Sequence, residues 1–393
     1  MTKRSLRGKV AVVGIGETDY YKHGRSPDPE FKMALKAILA AAEDAGISAR
    51  EIDSFASYAD ERSDPSRLAA ALGSKELRFS NLQWGGGGGG GAAAVGNGAA
   101  AIISGLADVV VVYRSLAQGQ FRRFGQAAAG GTISGDMALS SPYGVITPAQ
   151  RFAMKTTRFM HDHGIERSAL RAIAQASYHH AQSNPRAVMR DVNLTDELYD
   201  NSRWIAEPFK LYDCCMENDG AAALILMSAE RAVDMKQKPV YLLSQAQGSD
   251  HRSAARGYNM PNYPSANFGP VAVHLWDMAK LGPKDMDVVQ CYENFTGGVL
   301  MALIEHGFFT AAEANDFLRL ENITVGKGRM PLNTSGGNLA HCYMHGLELQ
   351  IEAVRQLRGT ADSQVANAKT AAVVAGPMVS PVSSLVFGSE EAL

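Results

Sequence analysis

Short apolar runs alternate along this chain with longer segments whose apolar positions recur every three or four residues. Residues 9–13 (KVAVV) read as a strand buried on both faces. Residues 29–45 place apolar side chains at helical spacing and predict an amphipathic helix. Residues 52–58 predict another short strand. A run of seven glycines, Gly85 to Gly91, comes next and leads into AAAVGNGAAAIISG. A helix of Ala and Gly has no polar face, so it is expected to be buried with other backbones close on every side. A strand at 108–113 follows.

The middle of the chain, 114–236, has a different texture. A loop rich in Gly, Ser and Pro precedes predicted helices at 148–163 and 166–183, and a strand at 221–227 closes the segment. Residues 239–246 then read as a second first strand. A helix at 271–280, a strand at 288–292 and a helix at 297–306 follow. Late in the chain stand SGGNLAHCYMHG, a long helix to 357 and a strand at 370–375. The two ends share one plan of strand, helix, strand and a late glycine-rich entry into a buried helix, which points to an internal duplication. Alternating strands and helices imply parallel or mixed sheets covered by helices.

Composition narrows the function classes. The chain has 393 residues, 46% hydrophobic and 20% charged, with a net charge of −2 and no basic block. It has no electrostatic footprint for nucleic acid or an acidic membrane. The start, MTKRSLRGKVAVVGIG, sets basic residues before an apolar run. Gly14, Gly16, Glu17 and Asp19 interrupt that run, so a buried first strand is expected there rather than a signal peptide. No stretch approaches the roughly 20 apolar residues of a membrane span. The cysteines are Cys214, Cys215, Cys291 and Cys342, with no CxxC pair. Reduced thiols and a cytoplasmic location are the expectation.

Three motifs carry candidate chemistry. The glycine run trivially contains GxGxxG, but a dinucleotide-binding loop should close the first strand of its domain. That strand ends in Gly14-Ile15-Gly16, with Asp19 where the third glycine belongs. Glycines before a helix allow close backbone approach and offer N–H groups to a thioester oxygen or an oxyanion. A purely structural turn is the alternative. The second motif, Tyr292-Glu293-Asn294-Phe295, sits where a strand end meets a helix start, the usual ligand position in α/β folds. Tyr292 there is either a core aromatic or an acid or base. The third is Asn333-Thr334-Ser335-Gly336-Gly337 followed by His341-Cys342-Tyr343-Met344-His345-Gly346. Its density of titratable groups favours chemistry; as an alternative, His341, Cys342 and His345 would offer zinc ligands, the two histidines sharing a helix face at i, i+4.

At these residues the sequence resembles the thiolase superfamily, of the sterol-carrier-protein-X type, over nearly its whole length. Residues 105–112 (GLADVVVV), Thr147-Pro148-Ala149, Asn184-Pro185, Ser202 to Pro208, Asp213-Cys214-Cys215 through Ala221, and Asn333 to Gly337 carry the likeness. The departures matter more. Where the family places its nucleophilic cysteine this chain has Gly88, and the second family cysteine is missing from Ala375-Gly376-Pro377. Tyr292 stands in place of the histidine of the family's first catalytic motif, and Tyr343 in place of that of its glycine-histidine-proline motif. An acyl-cysteine at that position is excluded. One branch has the same pattern of glycines, a tyrosine in the first motif and Tyr-x-His-Gly in the second. These are the steroid side-chain-cleaving aldolases, often labelled lipid-transfer proteins. Arg123-Phe124-Gly125-Gln126 and Asn201 to Pro208 extend that likeness.

The resemblance implies a thiolase fold, with duplicated βαβαβαββ halves in an α-β-α-β-α five-layer sandwich. The halves would be 1–238, including an inserted loop and helical segment at 114–215, and 239–393. It implies retro-aldol cleavage of a β-hydroxyacyl-CoA, a 17-hydroxy steroid side-chain thioester, to a 17-keto steroid and propionyl- or acetyl-CoA. Tyr292 and Tyr343 are the expected acid/base pair, with His345, and more weakly His341, assisting. Tyr258 would line the pocket or share the acid/base role, and backbone N–H groups around Gly88 and Gly376 would receive the oxyanion. No metal or other cofactor is implied, because CoA is part of the substrate. The implied partners are an OB-fold and zinc-ribbon protein, or a hydratase subunit carrying one, around a homodimeric core that builds a heterotetramer or larger. Two other readings stand beside this one: an acyltransferase using Cys342, and a non-catalytic acyl-CoA or lipid carrier.

Overall fold

The computed structural model describes residues 5–85, 87–120, 133–135, 137–251, 253, 262–326 and 328–393. Tyr258 and Arg123 to Gln126 lie outside the described residues. The first half runs β1 (Val10–Glu17), α1 (Glu30–Ala45), β2 (Ser54–Tyr58), α2 (Pro65–Leu72), β3 (Phe79–Gln83), α3 (Gly91–Ile103), β4 (Val110–Ala117). An inserted segment carries α4 (Pro148–His163) and α5 (Arg167–Ala181) before β5 (Asn218–Ser228). The second half runs β6 (Val240–Gly248), α6 (Gly269–Ala279), β7 (Val288–Cys291), α7 (Thr296–Glu305), α8 (Leu347–Arg358), β8 (Thr370–Ala375) and β9 (Val382–Gly388).

Helix ends follow their local chemistry. Thr147 and Gln150 form a capping box at the start of α4, Pro148 occupies its first turn, and left-handed Gly164 ends it. Gly46 ends α1 with φ 77° and returns its N–H to Ala42 and Glu43.

The strands join in the order β7-β8-β9-β6-β1-β5-β4-β2-β3, and a two-residue strand, Tyr21–Lys22, pairs with β5. The two halves repeat one pattern. In the first, β2 and β4 pair parallel, β4 and β5 antiparallel, and β5 and β1 antiparallel. In the second, β7 and β8, β8 and β9, and β9 and β6 repeat those senses. The counterpart of β3 is reduced to one parallel bridge, Val289 to Leu332. The halves meet where β1 pairs with β6 at Ala11–Tyr241 and Val12–Val240.

Burial explains the near-continuous apolar strands. Val10 and Val12 of β1 face a central core, while Ala11 and Val13 face an outer one. The same alternation holds in β5, where Leu224 and Leu226 face inward and Ala223 and Ile225 outward. The central core lies around α3 and α8, which pack against strands of both halves. α1 covers β1, β4 and β5 from outside, and α6 covers β6 and β9. These five layers match the expected thiolase architecture. The small residues of α3 except Ala100 are buried, as a helix between the two halves of the sheet requires.

Two elements escape the hydrophobic pattern, α2 and β3. β3 is the terminal strand, its side chains alternate between half-buried and exposed, and Leu82 points to solvent. No helix among the described residues is long and apolar enough to cross a membrane.

β1 lies so close to α1 that a Cβ on Gly16 would sit 2.1 Å from the Ala37 carbonyl oxygen. Gly16→Val is expected to cost at least about 2 kcal/mol through overpacking. A denaturant midpoint unchanged from wild type would contradict the contact.

Candidate active site

Tyr292 follows β7 directly and still donates its backbone N–H to Val374 of β8 at 2.9 Å. Asn333 holds the end of β7 as a neighbouring strand would. Its side chain accepts from Cys291 N–H at 2.7 Å and donates to Cys291 C=O at 2.8 Å. Glu293 then ties α5 to the turn that carries Asn338: its carboxylate accepts from Ser177 and from Asn338 N–H, while its own N–H donates to Asn338 Oδ1. Burial pushes the Glu293 carboxyl up to about 7, against these donors.

The expected tyrosines meet. Their hydroxyls stand 2.6 Å apart with the rings tilted by 48°. Tyr343 is oriented by its backbone N–H, which donates to Asn218 Oδ1. Its hydroxyl also hydrogen-bonds the thiol of Cys215. Burial is the largest influence on both phenols and holds them well above the ordinary range of tyrosine. Burial likewise pushes the Cys215 thiol up to about 12. All three groups are therefore protonated at neutral pH.

Gly88 is where Tyr292 needs it. A Cβ on Gly88 would fall 2.2 Å from Cε2 of the Tyr292 ring, and one on Gly346 would fall 2.9 Å from Cδ2. The ring is held between two bare backbones. Gly87 to Gly90 form a short turn that enters α3, so the positive end of that helix points toward the phenols. Gly376, with φ 72°, abuts the same turn: its Cβ would lie 2.2 Å from Gly89 Cα.

These residues open onto a cavity of about 1130 Å³ lined by Gly88, Tyr292, Tyr343, Cys215 and His345. Helix α4 of the inserted segment forms one wall with Phe152 and Lys155. Burial lowers the Lys155 ammonium to about 8, and Glu305 opposes the shift. Size and mixed lining suit a large apolar ligand with a few polar groups.

His341 and His345 part company. Residues Gly337–His341 form a single π turn, Cys342 is extended, and α8 begins only at Leu347. The two histidines therefore do not share a helix face, and the zinc alternative loses its geometry. His341 does not line the cavity; it hydrogen-bonds Ser335 and stands edge-on to Tyr20. Cys342 is also buried away from the cavity, and burial keeps its thiol protonated. No group of three or more His, Cys, Asp and Glu among the described residues could hold a metal ion.

Residues 246–389 match the family described as thiolase C-terminal domain-like. The chain is 40% identical, over 98% of its length and all of its relative's, to the 17-hydroxy-3-oxo-4-pregnene-20-carboxyl-CoA lyase of Mycobacterium tuberculosis. It is 37% identical, over 98% of its length and 99% of its relative's, to the steroid side-chain-cleaving aldolase of Thermomonospora curvata. The chain belongs to the steroid side-chain-cleaving aldolases. A solved aldolase of this kind, the Ltp2-ChsH2(DUF35) aldolase, superposes with a TM-score of 0.90 at 34% identity, covering 98% of this chain and 99% of that one.

Among these aldolase residues, sequence reasoning missed Cys215 and Arg114. Cys215 gave no spacing signal. Arg114 did give one: it is a lone charge inside the apolar strand VVVYRSLA, where a buried cation needs partners.

In a crystal structure of Gly88→Ala, the Tyr292 ring is expected to be displaced and the hydroxyl pair broken; hydroxyls still in contact would contradict the clamp. A second expectation concerns pH. Burial raises the Glu348 carboxyl from its ordinary 4.5 to about 8. The folded protein keeps a proton that the unfolded chain releases. That advantage is complete below about 4.5 and lost as pH rises through about 8. It amounts to about 5 kcal/mol. Glu348→Gln mimics the protonated form and is expected to flatten the fall in urea midpoint between pH 5 and 8. An equally steep fall in the variant would assign it to other groups.

Proposed function

We propose that this chain cleaves a β-hydroxyacyl-CoA by a retro-aldol reaction, with a 17-hydroxy steroid side-chain thioester as substrate. The products are a 17-keto steroid and propionyl- or acetyl-CoA. The observation that carries this reading is the hydrogen-bonded pair Tyr292–Tyr343 packed over a glycine, at the wall of a large cavity.

The proton count favours a pair over a single base. In the cleavage, the tertiary hydroxyl loses a proton, the Cα–Cβ bond breaks, and its electrons form the thioester enolate. The α-carbon gains a proton in the same relay. One phenol accepts the hydroxyl proton while passing its own across the 2.6 Å bond, and the other delivers one to carbon. Neither must stand as a free phenolate, which burial opposes. Backbone N–H groups around Gly88, at the start of α3, receive the enolate oxygen, and Gly376 holds that turn from behind. The thioester is itself the electron sink, so the reaction draws on no other cofactor.

The solved relative is named as an assembly with a DUF35 component. The corresponding partner here is an OB-fold and zinc-ribbon protein, free or carried on a hydratase subunit. A second copy of this chain completes the core. Support for that copy comes from the terminal strand β3, which leads into Trp84, a side chain 87% exposed.

The test is a mass-spectrometric assay of a 17-hydroxy steroid side-chain CoA thioester with the chain and its partner. Wild type is expected to release a ketone and a short acyl-CoA. Tyr292→Phe and Tyr343→Phe are each expected to be slower by about 10²-fold or more. Gly88→Ala is expected to be slower by a similar factor, through misplacement of Tyr292. A thioester that binds and stays intact in every case, partner included, would replace this reading with that of a carrier.

A further inference from the structure

Arg114 lies on β4 with its side chain fully buried. Its guanidinium reaches Asp60 at 2.5 Å and Glu61 at 3.1 Å. The same group closes on His345: Nε lies 3.1 Å and Nη2 2.9 Å from the imidazole Nδ1. A guanidinium has only donors and keeps its charge in proteins. His345 Nδ1 must therefore present a lone pair to it. A neutral imidazole has one ring proton, and with Nδ1 accepting, that proton is on Nε2.

The surroundings reinforce this arrangement. His345 has φ 51°, a left-handed conformation uncommon for histidine, and Gly346 follows with φ 89°. Tyr58 donates its hydroxyl to the His345 carbonyl at 3.1 Å and holds that turn. Its ring also faces the Arg114 guanidinium. The imidazole stands edge-on to Tyr343, 5.0 Å between centroids, and lines the cavity. Charged groups on β4 and the loop after β2 oppose one another: Asp60 favours a second proton on the ring, while Arg114 and Arg62 disfavour it. Burial, the largest influence, also disfavours it, so the ring stays neutral.

We infer that Arg114 is a positioning residue that fixes His345 as its Nε2–H tautomer, making His345 a neutral hydrogen-bond donor to the thioester oxygen as it becomes the enolate. This rests on the lyase reading for the identity of the oxygen, but not for the tautomer. His345 then serves the reaction as an electrophile. It neither accepts the hydroxyl proton nor lends a positive charge to the tyrosines.

The tautomer is read first, without substrate. In the full chain labelled with ¹⁵N-histidine, and with the signal assigned through His345→Gln, wild type is expected to show a pyridine-like Nδ1 and a pyrrole-like Nε2. The pattern should hold between about pH 5 and 8, the window in which an ordinary histidine titrates. A protonated Nδ1, or titration inside that window, overturns the inference even if no variant folds. Arg114→Met is paired with Glu61→Gln so that no buried carboxylate is stranded. In this variant the Nδ1–H tautomer is expected to appear, and any ionisation of His345 to move up while staying below its ordinary value, because burial still opposes the charge. With the partner present and steroid thioester as substrate, kcat should fall by about 10²-fold with KM little changed. Arg114→Lys should retain part of the rate. His345→Gln, which keeps an N–H near the place of Nε2, should exceed His345→Ala. Rates and a pH profile unchanged in the Arg114 variants overturn the inference. If wild type shows the stated tautomer but leaves the thioester whole, the lyase reading fails and the tautomer assignment stands. If the thioester is cleaved and Nδ1 bears the proton, only the inference fails.

Discussion

The aromatic ring of Tyr292 occupies the volume that any side chain at position 88 would need, and the site is built around that exclusion. A Cβ on Gly88 and the Cε2 of Tyr292 would be 2.2 Å apart, far inside contact distance. Missing side chain and added ring are one change seen from two places. With Gly88 bare the phenol can lie along the glycine turn; with the phenol present no cysteine can return. The same ring rests on Gly346, which fixes how α8 enters the centre of the molecule. Tyr343, Cys215 and the cavity wall take their places around it.

Around this contact the protein invests in buried polar order rather than in more apolar packing. Asn333, Glu293 and Asn338 on the segments after the strands and Ser177 on α5 satisfy one another. A buried polar group without a partner costs about 1–3 kcal/mol, so such a network holds only when nearly every member is in place. That requirement locks the ends of β7 and α8, and with them the two tyrosines. Arg114 does comparable work from the opposite side, joining β4 to the loop after β2 and to His345.

Much of this was legible in the sequence where local chemistry and burial agree. Helix α4 begins and ends where Thr147-Pro148 and Gly164 require. The buried strands announce themselves as apolar runs because both faces are covered. The tyrosine pair was readable because each phenol falls in a motif that the family resemblance singles out. β3 was not readable, since an edge strand with one wet face looks like a loop. His341 and His345 were not separable, because the π turn that turns them apart leaves no periodic trace. Cys215 was hidden for another reason: it comes to Tyr343 through tertiary contact, 128 positions away in the chain by the difference of their numbers.

The unequal ends of the sheet bear on how copies of this chain can add to one another. At the β7 end, the carbonyl of Pro331 and the N–H of Asn333 engage Val289, and the Asn333 side chain engages Cys291, so that margin is already sealed. At the β3 end no further strand is paired among the described residues. An architecture with a single open margin is self-terminating. Two copies joined there would cover the one open margin that the large sheet has among the described residues, leaving that sheet no second edge on which a filament could grow.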